Sequence, residues 1–102
     1  MSPEHVVVDI QAGNKHETLA AFARQFSFPG YFAYTWDALN DCINDLEWYP
    51  HDSILVRLDT TRSTLTPADH RSLIELLDLA KLSWAAIGDK QFDYVVVPGA
   101  TT

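Results

Sequence analysis

Cationic side chains are scarce in this 102-residue chain: Lys and Arg number 7 against 14 Asp and Glu, for a formal net charge of −7. A phosphate-backbone binder needs a basic footprint, so no nucleic-acid partner is expected. Cysteine is all but absent. Cys42 stands alone, which excludes an intrachain disulfide. Long apolar runs are missing too. No stretch approaches the roughly 20 apolar residues of a membrane span, and Met1-Ser2-Pro3-Glu4-His5 lacks the basic start of a signal peptide. The chain therefore reads as cytoplasmic, without membrane contact. Neither a Gly-rich phosphate loop nor a nucleophile elbow is visible. His5, His16, His51 and His70 show no ligand spacing relative to one another or to Cys42, so neither metal nor cofactor is expected.

What is present is an ordinary globular composition, 47% hydrophobic and 21% charged, over a length suited to one domain. That domain is read as residues 1–102, with an ordered core at about 5–98. Val6-Val7-Val8-Asp9-Ile10 is a β-branched run suited to a buried strand. Asn14, three residues before Glu17, marks a capping box. Leu19, Phe22, Ala23 and Phe26 then follow at helical spacing, placing a helix at about 15–26. Thr35 can cap a second helix of about 36–47, in which Leu39, Cys42, Ile43 and Leu46 form one apolar stripe.

Ser53 to Leu58 reads as a second strand. Thr66-Pro67-Ala68-Asp69 opens a third helix that runs to about Trp84, with Leu73, Leu76, Leu77 and Ala80 on its inner face. Phe92 to Val97 is a third strand, stopped by Pro98-Gly99, and the tail Ala100-Thr101-Thr102 is expected to fray. The order is β-α-α-β-α-β. It predicts an α/β fold, a three-stranded parallel sheet packed with helices in two layers and joined by right-handed crossovers.

One segment stands out. Between Arg24 and Arg57 there is no Lys or Arg, and within that span an aromatic loop from Phe28 to Trp36 runs into the second helix. Asp37, Asp41 and Asp45 drift by only about 40° per step on a helix of 3.6 residues per turn, with Asn40 and Asn44 on the same side. Two like-charge i, i+4 pairs cost roughly 0.2–0.5 kcal/mol each, and Asp45 and Glu47 fall at the unfavourable end of the helix dipole. A face that carries this cost without a cation suits docking on something basic. Phe26, Phe28 and Phe32 read as core plugs. Tyr31, Tyr34 and Trp36 are amphipathic rings of the kind enriched at interface hot spots. An enzyme built on Asp37, Asp41 and the His51-Asp52 pair is disfavoured, because an exposed helix offers no concave site.

The stretch Pro29-Gly-Tyr31-Phe32-Ala33-Tyr34-Thr35-Trp36-Asp37-Ala38-Leu39-Asn40-Asp41-Cys42, followed by Tyr49-Pro50, resembles without a gap the signature of the barstar family. That family's pattern runs roughly Pro-x-Tyr-Tyr-Gly-x-Asn-x-Asp-Ala-Leu-x-Asp-Cys, then Tyr-Pro. The resemblance implies an intracellular inhibitor of a ribonuclease toxin, acting by 1:1 association and not as an enzyme. It places Tyr31, Asp37 and Asp41 in the interface with Asp41 as anchor; Tyr34, Thr35, Trp36, Asn40, Asn44, Asp45 and Trp48 complete the expected partner surface. The chain departs from the pattern at Phe32, Ala33, Thr35, Asn40, Leu46 and Trp48. It departs again at Leu79, where the family has an acidic contact on the third helix. These departures imply a surface fitted to a toxin other than barnase. The alternative is a binding or regulatory module whose target is a non-ribonuclease toxin or enzyme.

Overall fold

A computed structural model describes residues 5–97. Its elements are β1 (His5–Gln11), α1 (Lys15–Phe26), α2 (Trp36–Ile43), β2 (Ser53–Asp59), α3 (Pro67–Ile87) and β3 (Gln91–Val97), in the expected β-α-α-β-α-β order. The Pro98-Gly99 stop, the tail Ala100-Thr101-Thr102 and the start Met1 to Glu4 lie outside the described residues.

Local chemistry sets the helix starts. The Asn14 side chain accepts from the Glu17 N–H at 2.8 Å, and Glu17 Oε1 accepts from the Asn14 N–H at 2.9 Å, completing the capping box. Thr66 Oγ1 accepts from the Asp69 N–H, with Pro67 at the first helical position. α3 continues past its expected end at Trp84 because Ala85 and Ala86 favour helix. It stops at Gly88, whose φ of +84° only glycine adopts cheaply.

α2 is shorter than its apolar stripe. It ends at Ile43, not near residue 47, and Asp45 and Glu47 therefore stand outside it. Asn44 caps its end, the backbone N–H donating to Asn40 O at 3.1 Å. The Asn44 Nδ2 donates to the Asn40 backbone O at 2.7 Å and to Asn40 Oδ1 at 3.1 Å. Leu46 still reaches the core, fully buried, by adopting a left-handed φ of +46°.

The sheet is parallel throughout in the order β1-β2-β3, with Val8 opposite Val56 and Val56 opposite Tyr94. Right-handed crossovers in this order place all helices on one face. Val8, Ile10, Ile54, Val56, Leu58 and Phe92 point there and are buried with Leu19, Phe22, Phe26, Leu39, Ile43, Leu73 and Leu77. The other face is open, so β1 is not the two-sided buried strand its composition implies. Val7 is 46% exposed and Val95 42%. Asp9 and Arg57 pair across this face at 2.6 Å. Among the described residues no helix is long and apolar enough to cross a membrane.

Candidate functional site

The loop between α1 and α2 turns on local bonds. Ser27 closes α1 in a left-handed conformation (φ 54°), and the Phe32 N–H donates to the Pro29 carbonyl, making a tight turn. Phe32 inserts into the core while Tyr31, on the same turn, is 78% exposed. Tyr34 also has a left-handed φ of +51°, a conformation that costs an L-residue roughly 1–2 kcal/mol. Its ring stacks on His16 with centroids 4.9 Å apart and packs against Phe32 at 5.0 Å.

Thr35 caps α2 as expected, its Oγ1 accepting from the Ala38 N–H at 3.0 Å. Leu39, Cys42 and Ile43 bury one side of the helix, and Asp37 and Asp41 are exposed on the other. Asp45 is exposed in the turn that follows. The ion pairs of the described residues are Arg57–Asp9, Lys81–Asp93 and Lys90–Asp52, and none reaches Asp37, Asp41 or Asp45. Burial pushes the Cys42 thiol above its ordinary range, with Asp41 and Asp45 adding to the effect. Cys42 is thus a small buried hydrophobe and a poor nucleophile.

All three tryptophans tie this unit to the scaffold through the indole N–H. Trp36 Nε1 donates to Asp69 Oδ1 of α3 at 3.0 Å. Trp48 Nε1 donates to the Phe26 carbonyl at 2.8 Å, with its ring edge-on to Phe28. Trp84 Nε1 donates to the Ile43 carbonyl at 2.9 Å, closing the end of α2 from α3. Lys90 holds the segment beyond α2 by donating to the Tyr49 and His51 carbonyls.

Of the residues expected at a partner surface, Tyr31, Tyr34, Thr35, Asp37, Asp41 and Asp45 are exposed. Trp36 and Trp48 are half-buried and bonded inward, and Asn40 and Asn44 are half-buried and bonded to each other. Tertiary structure adds residues that spacing did not indicate. Lys15 lies 5.8 Å from the Trp36 ring centre, His16 backs Tyr34, and Asp69 holds Trp36. Their partners are 18 to 33 residues away in the chain, and no local pattern links them.

The acidic helix, with no ion pair to Asp37 or Asp41 among the described residues, thus stands beside an exposed tyrosine on a tight turn. The family model for barstar, the barnase inhibitor, matches residues 4–97. The chain belongs to the barstar family. Barstar-family proteins are inhibitors, and membership gives this chain a ribonuclease-inhibitor-like role in general terms. No curated protein matches the chain.

Proposed function

We propose that this barstar-family chain is a cytoplasmic immunity protein that binds one basic ribonuclease toxin, 1:1, and blocks its active site with Asp37, Asp41 and the Tyr31 turn. The observation that carries this reading is the electrostatics of α2: two exposed carboxylates one turn apart, with no ion pair to either among the described residues. Carboxylates can occupy the phosphate subsite of a ribonuclease by accepting charge-assisted bonds from Arg, Lys and His. The acidic face also steers approach to a positive cleft. The indole bonds and the Thr35 cap hold the helix in place before contact, which lowers the ordering cost of binding.

The experiment is co-expression with a panel of basic ribonuclease toxins, followed by affinity measurement on Asp41→Ala with the one it neutralises. Asp69 is unsuitable as a control because it holds Trp36. Asp9, on the open face of the sheet, is suitable. Asp41→Ala should weaken binding about 30-fold or more, as an anchor worth about 2 kcal/mol does, and abolish rescue. Asp9→Ala should match the wild type. Equal losses from both would sink the proposed interface.

A further inference from the structure

The two outer edges of the sheet are finished differently. At β3, side chains of α3 tie the strand down: Asp78 accepts from the Tyr94 hydroxyl, and Lys81 reaches past the edge to Asp93 at 3.1 Å. At β1, no hydrogen bond or ion pair among the described residues runs from α1 to the strand. The Ala12 N–H donates to the Asp59 carbonyl at 2.9 Å, which sets the phase of the ladder. The N–H and C=O groups of Val7, Asp9 and Gln11 therefore point away from β2 and form an unpaired row. From Val7 to Gln11 that row spans about 13 Å.

A trough follows this edge between β1 and α1. Two adjoining hollows of about 410 and 520 Å³ make it up, and they share Gln11, Ala21 and Arg24. Small side chains keep it open, with Ala12 and Ala21 buried in its floor. Arg57 lines the smaller hollow and Arg62 the larger, so three of the chain's four arginines meet here. The acids beside them are committed to internal bonds. Asp9 pairs with Arg57 at 2.6 Å, Asp59 Oδ1 accepts from the Thr61 N–H at 2.9 Å, and Glu17 Oε1 accepts from the Asn14 N–H at 2.9 Å. Arg24 and Arg62 are exposed, with no ion pair among the described residues. The charged groups left uncommitted in the trough are guanidiniums.

We propose that the β1 edge takes an extended acidic segment of another protein as a fourth strand. The segment's backbone pairs with Val7, Asp9 and Gln11, and its Asp or Glu side chains on the α1 side accept from Arg24 and Arg62. In strand addition the main-chain bonds supply affinity and the alternate side chains supply specificity. Carboxylates suit the two arginines because guanidinium–carboxylate bonds are charge-assisted and can be bidentate. A second copy of this chain is a poorer occupant. The one acid in Val7-Val8-Asp9-Ile10-Gln11 is Asp9, which Arg57 already holds. The proposal stands apart from the toxin reading, since no residue of α2 lines the trough.

The test titrates a capped peptide of alternating valine and glutamate into the isotope-labelled full chain, followed by nuclear magnetic resonance. Such a peptide presents its carboxylates on one side of a strand. The amide signals of Val7, Asp9 and Gln11 should shift and gain protection from hydrogen exchange, while those of Asp37 and Asp41 stay in place. The same peptide with glutamine for glutamate should bind about tenfold or more weakly, and backbone N-methylation should abolish binding. Arg24→Gln/Arg62→Gln should lower the affinity for the glutamate peptide to that for the glutamine peptide. No shift at β1 with millimolar peptide, equal affinity for the two peptides, or undiminished binding by the double variant would overturn the proposal. A peptide-free dimer in sedimentation with the three amides already protected would assign the edge to a second copy and overturn it too. Both arginines are exposed, so the variant should keep its fold, which thermal unfolding checks. The comparison of peptides needs no variant.

Discussion

Single residues in this chain show how burial and one bond alter a group's behaviour. The Tyr94 hydroxyl donates to Asp78 Oδ1 at 2.5 Å. Burial first, and then that bond, push its pKa from 10.0 up to about 12. The folded state thus holds this proton more tightly than the unfolded chain does. Its contribution to stability is complete below about pH 10 and is lost as pH rises to about 12. Tyr94→Phe should therefore melt below the wild type at neutral pH, with the gap closing across that window. A gap constant from pH 8 to 12 would show that the Asp78 bond is not coupled to folding. At the acidic face, Asp41 is exposed and has no ion pair among the described residues.

At the scale of elements, α2 is the vulnerable piece. Isolated helices shorter than about 12–15 residues are marginal in water, and α2 has eight. Its order comes from the Thr35 cap, the buried Leu39–Cys42–Ile43 side and the indole bonds at either end. Thr35→Ala should cost about 1 kcal/mol of stability. The loss should appear locally, as faster amide hydrogen exchange over residues 36–43 with the sheet amides still protected. Exchange in α2 unchanged from wild type would show that the cap is redundant. The sheet is a contrast. Its strands hold one another in register along their full length, and one face stays open because every crossover packs on the other.

Over the whole molecule, the ion-paired cations stand apart from the exposed carboxylates of α2. The ion-paired cations Arg57, Lys81 and Lys90 sit on the open sheet face, the β3 flank and the segment after α2. The uncompensated carboxylates Asp37 and Asp41 share one helix. An asymmetric field of this kind accelerates encounter with a basic partner and is screened by salt, over a Debye length of about 8 Å at physiological ionic strength. Association with the ribonuclease toxin should slow steeply as salt is raised. Dissociation, governed by short-range contacts, should change little. An association rate indifferent to salt would show that the acidic face does not steer.

The sequence by itself determined the elements and their starts. Asn14 with Glu17, Thr35, and Thr66 with Pro67 act within one helical turn, so their effects are written locally. It also determined the exposure of Asp37 and Asp41, because a two-turn helix with Leu39, Cys42 and Ile43 on one side leaves no other place for them. Only the tertiary structure decided the end of α2, where the Asn40–Asn44 bonds and the burial of Leu46 outweigh a continuing apolar stripe. It alone turned Trp36 and Trp48 inward, since Asp69 and the Phe26 carbonyl lie 33 and 22 residues away in the chain. It also left one side of the sheet open. Spacing along a chain records which residues share a helix face, but what covers that face depends on elements brought together from far along the chain.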